Sequence, residues 1–288
     1  MADWNARQYL KFERERTLPS ADLIARAASS LGGPPRSVLD IGCGPGNSTA
    51  ALRRAFPEAE LLGVDRSPDM LARARSLHPD LRFAPCTVPQ GLAELGRFDL
   101  LFSNACLHWI PRHETLLPAL AGSLNPGGLL AVQMPLTQRS PFYAALAELI
   151  REPRWQSLQE VRLFHNRPPE ETYDILVSSF ASVEMWETVY EHVLPGPESV
   201  LEWYRGSGLR PYLDRLPEAE RPPFEAALLG RIRGLFSPRA DGSILLPMPR
   251  HFFLAWKEEK YGRPGRRIFS GKSGGTPHVS HLDKPFSL

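Results

Sequence analysis

Between residues 37 and 135, short apolar runs alternate with segments that have the periodicity of helices. The pattern predicts strands at 37–42, 59–65, 81–86, 98–104 and 129–135. It predicts helices at 47–56, 67–77 and 113–124. Since parallel strands must be joined by long crossover connections, this alternation predicts a parallel sheet with helices on both faces.

After Pro135 the alternation ends. Residues 138–180 and 197–236 are predicted to be helical, and two further strands are predicted at 182–195 and 244–257. We therefore expect an α/β fold, a doubly wound, mostly parallel seven-stranded sheet of Rossmann-like type. The two helical segments are expected to form a lid inserted near the C-terminal strands, over the sheet edge where such folds bind ligands.

The predicted domain spans 1–257, and residues 258–288 form a basic, Gly-, Pro- and Ser-rich tail that we expect to be disordered. From Lys257 onward there are seven basic and three acidic residues, so the net charge of +2 leaves the body slightly acidic. Such a body disfavours nucleic acid as a partner. No apolar run reaches the roughly 20 residues of a membrane span, and the N-terminus lacks a signal core.

The chain has only three cysteines, an odd number without CxxC spacing. This pattern argues against a disulfide framework and favours a cytoplasmic location. No cluster of residues at metal-ligand spacing is evident, so no metal is expected.

The segment VLDIGCGPGNSTA places glycines at 42, 44 and 46, between a predicted strand and a predicted helix. Glycines let a turn approach a ligand closely, and the following helix offers free N–H groups. The dinucleotide pattern GxGxxG would need glycine where Asn47 or Thr49 stands, so a dinucleotide fits poorly.

Asp65 ends the second predicted strand, 19 residues after Gly46. A carboxylate at that place can accept both hydroxyls of a ribose. A ribose site without a pyrophosphate cradle points to an adenosine ligand such as S-adenosyl-L-methionine.

Three motifs, LDIGCGPGNST, GVDRSPDML and FDLLFSNACLHWI, resemble those of the class I S-adenosylmethionine-dependent methyltransferases. Further stretches, among them WYRGSGLRPYL and ILLPMPRHFFLA, extend the resemblance over roughly residues 2 to 257 and to enzymes that esterify small polycarboxylic acids. The resemblance implies O-methylation of one carboxylate, with trans-aconitate the first candidate, giving a monomethyl ester and S-adenosylhomocysteine.

The resemblance also implies a set of residues that bind the cofactor. These are Gln8, Asp40, Gly42, Gly44, Asp65, Met70, Thr87, Val88, Asn104 and Ala105. Asp40 would orient the methionine end, and the backbone carbonyls of Asn104 and Ala105 would face its amine. Thr87 stands where related sequences usually carry an acid that accepts the adenine amino group. A Thr hydroxyl can still accept that hydrogen bond.

A carboxylate acceptor is ionised at neutral pH and needs no general base. The sequence has no evident nucleophile–base pair, so no catalytic side chain is expected and catalysis rests on positioning. Substrate binding is assigned to Trp4, His108, Trp203, Arg210 and Arg250, with the arginines as partners of carboxylates. Trp4 and Gln8 would belong to an N-terminal flap.

Two alternatives stay open at the level of sequence. One is a methyltransferase for a carbon or hydroxyl acceptor, with His108 or His113 as the base. The other is a non-catalytic S-adenosylmethionine-binding protein. The expected partner is a small anionic substrate, and a monomer is favoured.

Overall fold

The computed structural model of the protein describes residues 13–161, 164–206 and 208–258. Its centre is a seven-stranded sheet in the order β3-β2-β1-β4-β5-β7-β6. The strands are β1 (Ser37–Ile41), β2 (Glu60–Asp65), β3 (Arg82–Pro85), β4 (Phe98–Asn104), β5 (Leu124–Pro135), β6 (Ser182–Leu194) and β7 (Ile244–Trp256). Only β7 runs against its neighbours. The predicted mostly parallel, doubly wound sheet is confirmed.

Of the described α-helices, one precedes β1, one follows each of β1, β2 and β4, two lie between β5 and β6, and three lie between β6 and β7. These helices are α1 (Glu13–Ser30), α2 (Asn47–Ala55), α3 (Pro68–Leu77), α4 (His113–Gly122), α5 (Pro141–Leu149), α6 (Pro169–Val177), α7 (Pro197–Arg205), α8 (Arg210–Arg215) and α9 (Arg221–Leu235). Ser67 caps α3, since its hydroxyl accepts a hydrogen bond from the Met70 N–H.

The sheet is buried on both faces. On one face α1 and α2 pack against the central strands through residues such as Leu23, Leu52 and Phe102. On the other face α4 contributes Leu116 and Leu120. This arrangement explains why the strands read as continuous apolar runs rather than as alternating ones.

β5 begins at Leu124, earlier than the predicted 129. The segment NPGG, which follows the predicted helix 113–124, lies within the strand, where the pairing with β4 is irregular between Phe98 and Leu100. The Asn125 side-chain amide donates a hydrogen bond to the Asp99 carboxylate across this irregularity. This bond links the two strands where the regular backbone pairing is interrupted.

The lid has a hydrophobic core of its own. Its largest members include Phe142, Trp155, Trp203 and Phe224, from α5, α7, α9 and the 3-10 segment Pro153–Glu160. The β6 end and the β7 start complete this core with residues such as Leu194, Ile244 and Leu246.

One helix predicted for the lid lies elsewhere. α6 falls within 138–180, but it contacts α4 and β6, and its Leu176 belongs to the core beneath the sheet. Its apolar positions have helical spacing in either location, so periodicity does not distinguish the two.

The predicted N-terminal flap and the tail from 259 onward lie outside the described residues. Within the described part of the chain, no helix combines the length and the apolar character that crossing a membrane requires.

Candidate functional site

The glycine turn after β1 adopts left-handed backbone conformations. Gly42, Gly44 and Gly46 have φ angles of 73°, 54° and 93°. A Cβ at Gly42 would lie 2.3 Å from the Sγ of Cys106, so this position is closed to side chains by contact as well as by φ. A Cβ at Gly44 would meet nothing within 4 Å, which leaves that backbone open toward the space above the turn.

Asp65 joins the glycine turn to the end of β2. One carboxylate oxygen accepts a hydrogen bond from the Gly44 N–H at 3.0 Å, and the other accepts one from the Ser67 N–H at 2.9 Å. Because a carboxylate offers about four lone-pair positions, both oxygens retain accepting capacity. Asp65 is thus held in one orientation, with acceptors for two neighbouring hydroxyls.

Asp40 lies beneath the glycine turn and is fully buried. Its Oδ2 accepts hydrogen bonds from the hydroxyls of Ser48 and Thr49, both at 2.6 Å. Its Oδ1 has no hydrogen-bond partner among the described residues. Burial raises the pKa of this carboxyl from 3.8 to about 6, although the two hydroxyl bonds act in the opposite direction.

The end of β4 supplies the next part of the site. Asn104 places a buried Oδ1 there, and this atom has no hydrogen-bond partner within the described chain. Ala105 follows with a positive φ of 52°, while its N–H donates a hydrogen bond to the Gln133 carbonyl at 3.0 Å. A non-glycine residue in this conformation is uncommon and typical of functional sites.

A cavity of about 840 Å³ lies over these strand ends. Eight of the predicted cofactor residues line it: Gly42, Gly44, Asp65, Met70, Thr87, Val88, Asn104 and Ala105. Asp40 lies below the lining. Gln8 and Trp4 are outside the described residues.

Sequence reasoning missed several residues of the cavity wall. Three are arginines, Arg54, Arg66 and Arg112, and another group comes from α1, which lines the cavity with Thr17, Ser20 and Ala21. The spacing of apolar residues in α1 indicates which side of the helix packs on the sheet. It does not indicate which residues beside that apolar face line a cavity.

The predicted substrate residue His108 follows β4 and is buried. Its ring lies 4.9 Å from the ring of Trp109 and 5.6 Å from that of Phe164. Burial holds the His108 pKa well below its ordinary value, and the charge of Arg250 and then His113 lower it further. His108 is therefore a neutral imidazole in the neighbourhood of Arg250.

Arg250 lies on β7 and is 9% exposed. It pairs with Pro135, the last residue of β5. Two residues away, Phe252 pairs with Gln133, which in turn pairs with Asn104. Arg250 is therefore displaced from the row of Asn104 by roughly 7 Å toward the carboxyl edge of the sheet.

None of the four described substrate candidates, His108, Trp203, Arg210 and Arg250, is among the residues that line the cavity. Trp203 is 3% exposed and stacks on His192 with ring centroids 5.0 Å apart, so it packs in the core of the lid, and its assignment to substrate stays a prediction. Its apolar ring is better satisfied by that packing than by a small anion. Arg210 pairs with Asp214 one helical turn away, at 3.7 Å.

Cys43 lies within the glycine turn, between Gly42 and Gly44. Its thiol is buried, and burial together with the nearby Asp40 and Asp65 raises its pKa strongly. The environment therefore disfavours the thiolate, even though Cys43 precedes a helix N-terminus.

Comparison with known proteins agrees with this fold and geometry. A sequence model of the methyltransferase domain matches residues 38–128, which contain the glycine turn, Asp65 and Asn104. The YcgJ protein of Bacillus subtilis has a similar fold, with a TM-score of 0.52 and 15% identity over 83% of this chain and 99% of its own. A phosphoethanolamine N-methyltransferase of Haemonchus contortus also does, with a TM-score of 0.51 and 19% identity over 84% of this chain and 53% of its own. The fold and the matched domain define the chain as a Rossmann-like methyltransferase.

Two curated relatives narrow the class. A trans-aconitate 2-methyltransferase of Rhodopseudomonas palustris is 43% identical over 260 residues, covering 89% of this chain and all of the relative. One of Methylobacterium nodulans is 45% identical over 258 residues, covering 88% of this chain and 98% of the relative. The chain therefore belongs to the family of trans-aconitate 2-methyltransferases, which confirms the resemblance seen in its motifs.

Proposed function

We propose that the protein transfers the methyl group of S-adenosylmethionine to a carboxylate oxygen of trans-aconitate, releasing the monomethyl ester and S-adenosylhomocysteine. The observation that carries this proposal is the convergence of the glycine turn, Asp65 and Asn104 on one cavity in a member of this family. The acceptor follows from the names of the relatives and from the chemistry of the residues near the cavity.

The residues present fit S-adenosylmethionine. Asp65 has two oriented oxygens for the ribose hydroxyls. Buried acceptor atoms without partners, Oδ1 of Asp40 and Oδ1 of Asn104, suit the ammonium group of the methionine part. The open face of the turn at Gly44 leaves space for the ligand beside the backbone. Thr87 and Val88 would then face the adenine.

Held by Asp65 and the glycine turn, the cofactor would supply an electrophilic methyl group. The acceptor carboxylate is already ionised, so no side chain of the protein has to remove a proton from it. The protein then has to align the carboxylate and exclude water. Such positioning supplies roughly 7–11 kcal/mol in well-oriented reactions.

We assign the alignment of an anionic acceptor to Arg250, a nearly buried arginine beyond the cavity wall. It lies beyond the row of Asn104, at the seam between sheet and lid, where its charge acts on both His108 and Tyr190. A guanidinium that is nearly buried loses less of its attraction to solvent, and its fork matches a carboxylate. His108, being neutral there, can donate a hydrogen bond without acting as a base.

Arg210 is less suited to this role. Its guanidinium pairs with Asp214, and the side chain is 33% exposed. An exposed ion pair contributes little to the stability of the fold. Asp214 nevertheless competes with the acceptor carboxylate for the Arg210 guanidinium.

The acceptor is tested with labelled S-adenosylmethionine and a panel of di- and tricarboxylates. We expect a base-labile methyl ester on trans-aconitate. Transfer only to a neutral acceptor, or no transfer at all, would refute the proposed substrate class.

The role of Arg250 in binding the acceptor is tested with Arg250→Lys, which keeps the positive charge but loses the planar guanidinium that binds a carboxylate through two hydrogen bonds. We expect the KM for trans-aconitate to rise about tenfold, with affinity for S-adenosylhomocysteine unchanged. Arg210→Lys is the matched variant, and we expect a smaller effect there. Equal acceptor kinetics in wild type and Arg250→Lys would remove Arg250 from the site.

The proposal extends to a small anionic substrate, a monomeric state and a cytoplasmic location. Three free cysteines, of which Cys43 and Cys86 are buried, are typical of proteins in reducing compartments.

A further inference from the structure

One end of the cavity lies between the helices α1 and α2, and, apart from Ser48, which bonds to Asp40, its residues have no role in the proposal above. We define this α1–α2 cleft by the lining residues Thr17, Ser20, Ala21, Asn47, Ser48, Ala51 and Arg54. On α2, positions 47, 51 and 54 are spaced by four and three residues, so they share one face of the helix. The small side chain of Ala51 leaves room between Asn47 and Arg54.

Ser20 is the buried polar group of the cleft. The residue is 4% exposed, and its hydroxyl has no hydrogen-bond partner among the described residues. A hydroxyl within α1 normally faces solvent or bonds to a carbonyl of the preceding turn. A buried hydroxyl without a partner is costly, and Ser20 belongs to the cavity wall, where a small rotation of the side chain would offer its hydroxyl to a ligand.

Arg54 supplies the charge of the cleft, and it is the one charged side chain among the lining residues that define it. In the described part of the chain, no carboxylate lies within ion-pair distance of its guanidinium. The cleft therefore combines a hydroxyl donor with a guanidinium, a combination that suits a carboxylate.

The opposite chemistry is found next to the glycine turn. The partnerless Oδ1 atoms of Asp40 and Asn104 are acceptors and suit a cation. An amino-acid group carries both charges on one carbon. The two sets of residues are thus complementary to the two ends of a zwitterion.

We propose that Ser20 and Arg54 bind the carboxylate of the methionine part of the cofactor and thereby position its sulfur. This inference rests on the proposed function, because it assumes S-adenosylmethionine as the ligand. Ser20 and Arg54 are positioning residues, since the methyl group leaves from the sulfur and not from the carboxylate end. Their loss should weaken binding of any ligand with an amino-acid end and spare ligands without one.

The test compares two thioethers in calorimetric titrations of the full chain. S-adenosylhomocysteine carries the amino-acid end, and 5′-methylthioadenosine has the same nucleoside and sulfur without it. For Arg54→Gln and for Ser20→Ala, we expect affinity for S-adenosylhomocysteine to fall about five- to tenfold. Affinity for 5′-methylthioadenosine should change less than twofold. Arg54→Lys should recover part of the loss because it restores the charge.

Matched variants separate this effect from general changes in charge or helix stability. Arg53→Gln removes the same charge from the same helix, but its guanidinium bonds to the carbonyls of Pro57 and Ala59. Ser29→Ala removes an exposed hydroxyl of α1 that bonds to the Arg26 carbonyl. Both should leave the ratio of the two affinities as in wild type.

Equal losses for both ligands in Arg54→Gln and Ser20→Ala would overturn the inference, as would unchanged affinity for S-adenosylhomocysteine. A change in the ratio with Arg53→Gln as large as with Arg54→Gln would also overturn it, because the effect would then be one of overall charge. If wild type binds neither ligand, the proposed function itself fails, and this result is distinguishable from the others.

Discussion

The sheet and the lid use polar residues in opposite ways. At the carboxyl edge of the sheet, the oxygens of Asp40 and Asn104 are buried without partners, and Asp65 is oriented by backbone N–H groups. On the lid, arginines and glutamates pair at the surface. These pairs are Arg154–Glu220, Arg205–Glu225, Arg215–Glu160, Arg231–Glu152 and Arg233–Glu198.

The difference separates two tasks. Exposed ion pairs contribute little to stability, so the lid depends on its own hydrophobic core. At the carboxyl edge of the sheet, buried polar groups without hydrogen-bond partners destabilise the folded protein. A ligand that bonds to them would remove this cost. Arg250 is nearly buried on β7, and its charge acts on Tyr190, which packs against the core of the lid.

The largest expected effect is on the free energy of unfolding, and it comes from a substitution in the core of the lid. Trp155 is 2% exposed and packs edge-on against Phe224 with ring centroids 5.1 Å apart. Trp155→Ala should lower the free energy of unfolding by about 3–5 kcal/mol. Urea denaturation measures this loss. Calorimetry at a temperature where the variant is folded should show unchanged affinity for S-adenosylhomocysteine.

Leu39→Ala is the counterpart in the sheet, since Leu39 is fully buried in β1, next to Asp40. It should cost a similar free energy and weaken the ligand as well. If Trp155→Ala weakens the ligand as much as Leu39→Ala does, the lid and the cofactor site do not act separately.

The next effect concerns Asp65. Asp65→Ala removes a charged acceptor of the ribose hydroxyls, a bond worth roughly 1.5–3 kcal/mol, so affinity for S-adenosylhomocysteine should fall about 10- to 100-fold. Calorimetry measures this, with the exposed Asp80→Ala as control. Affinity equal to that of wild type would show that the ribose does not contact Asp65.

A smaller effect depends on pH. The pKa of Asp40 is raised to about 6 in the folded protein, above its ordinary 3.8. Between these values the folded state holds a proton that the unfolded chain releases, so the free energy of unfolding should decline as pH rises from about 4 to 6. Binding of the cofactor ammonium should follow the opposite trend, because it uses the ionised carboxylate.

Titrations of S-adenosylhomocysteine from pH 7 to 5 should therefore show weakening of up to about tenfold per pH unit below 6. Asp40→Asn should flatten both dependences. A wild-type affinity that stays constant over this range would exclude Asp40 as the partner of the ammonium group.

The smallest effect is expected at the C-terminus. β7 ends at Trp256, and Lys257 then donates hydrogen bonds to the carbonyls of Ala121 and Leu124, while the Glu258 carbonyl accepts one from Gly127. A chain that ends after Glu258 keeps all of these bonds. We expect its melting temperature and ligand affinity to equal those of the full chain. A drop in either would assign a role to 259–288.

The sequence by itself determined the parallel sheet and the centre of the site. β4 was predicted with the bounds that it has, and Asp65 and the glycine turn were found because strand ends and turns are written in consecutive residues. Periodicity and turn chemistry act over a few residues, so a single chain reveals them.

Only the tertiary structure decided which distant residues meet. Ser20 and Arg54 reach the cavity because α1 packs beside α2, and Arg250 lies near His108 because β7 inserts between β5 and β6. The apolar spacing around Trp203 predicts burial but not the core to which the side chain belongs. Its place in the lid core follows from the packing of α7. Strand order, register and helix packing join residues that are far apart in the chain, and no local pattern encodes those contacts.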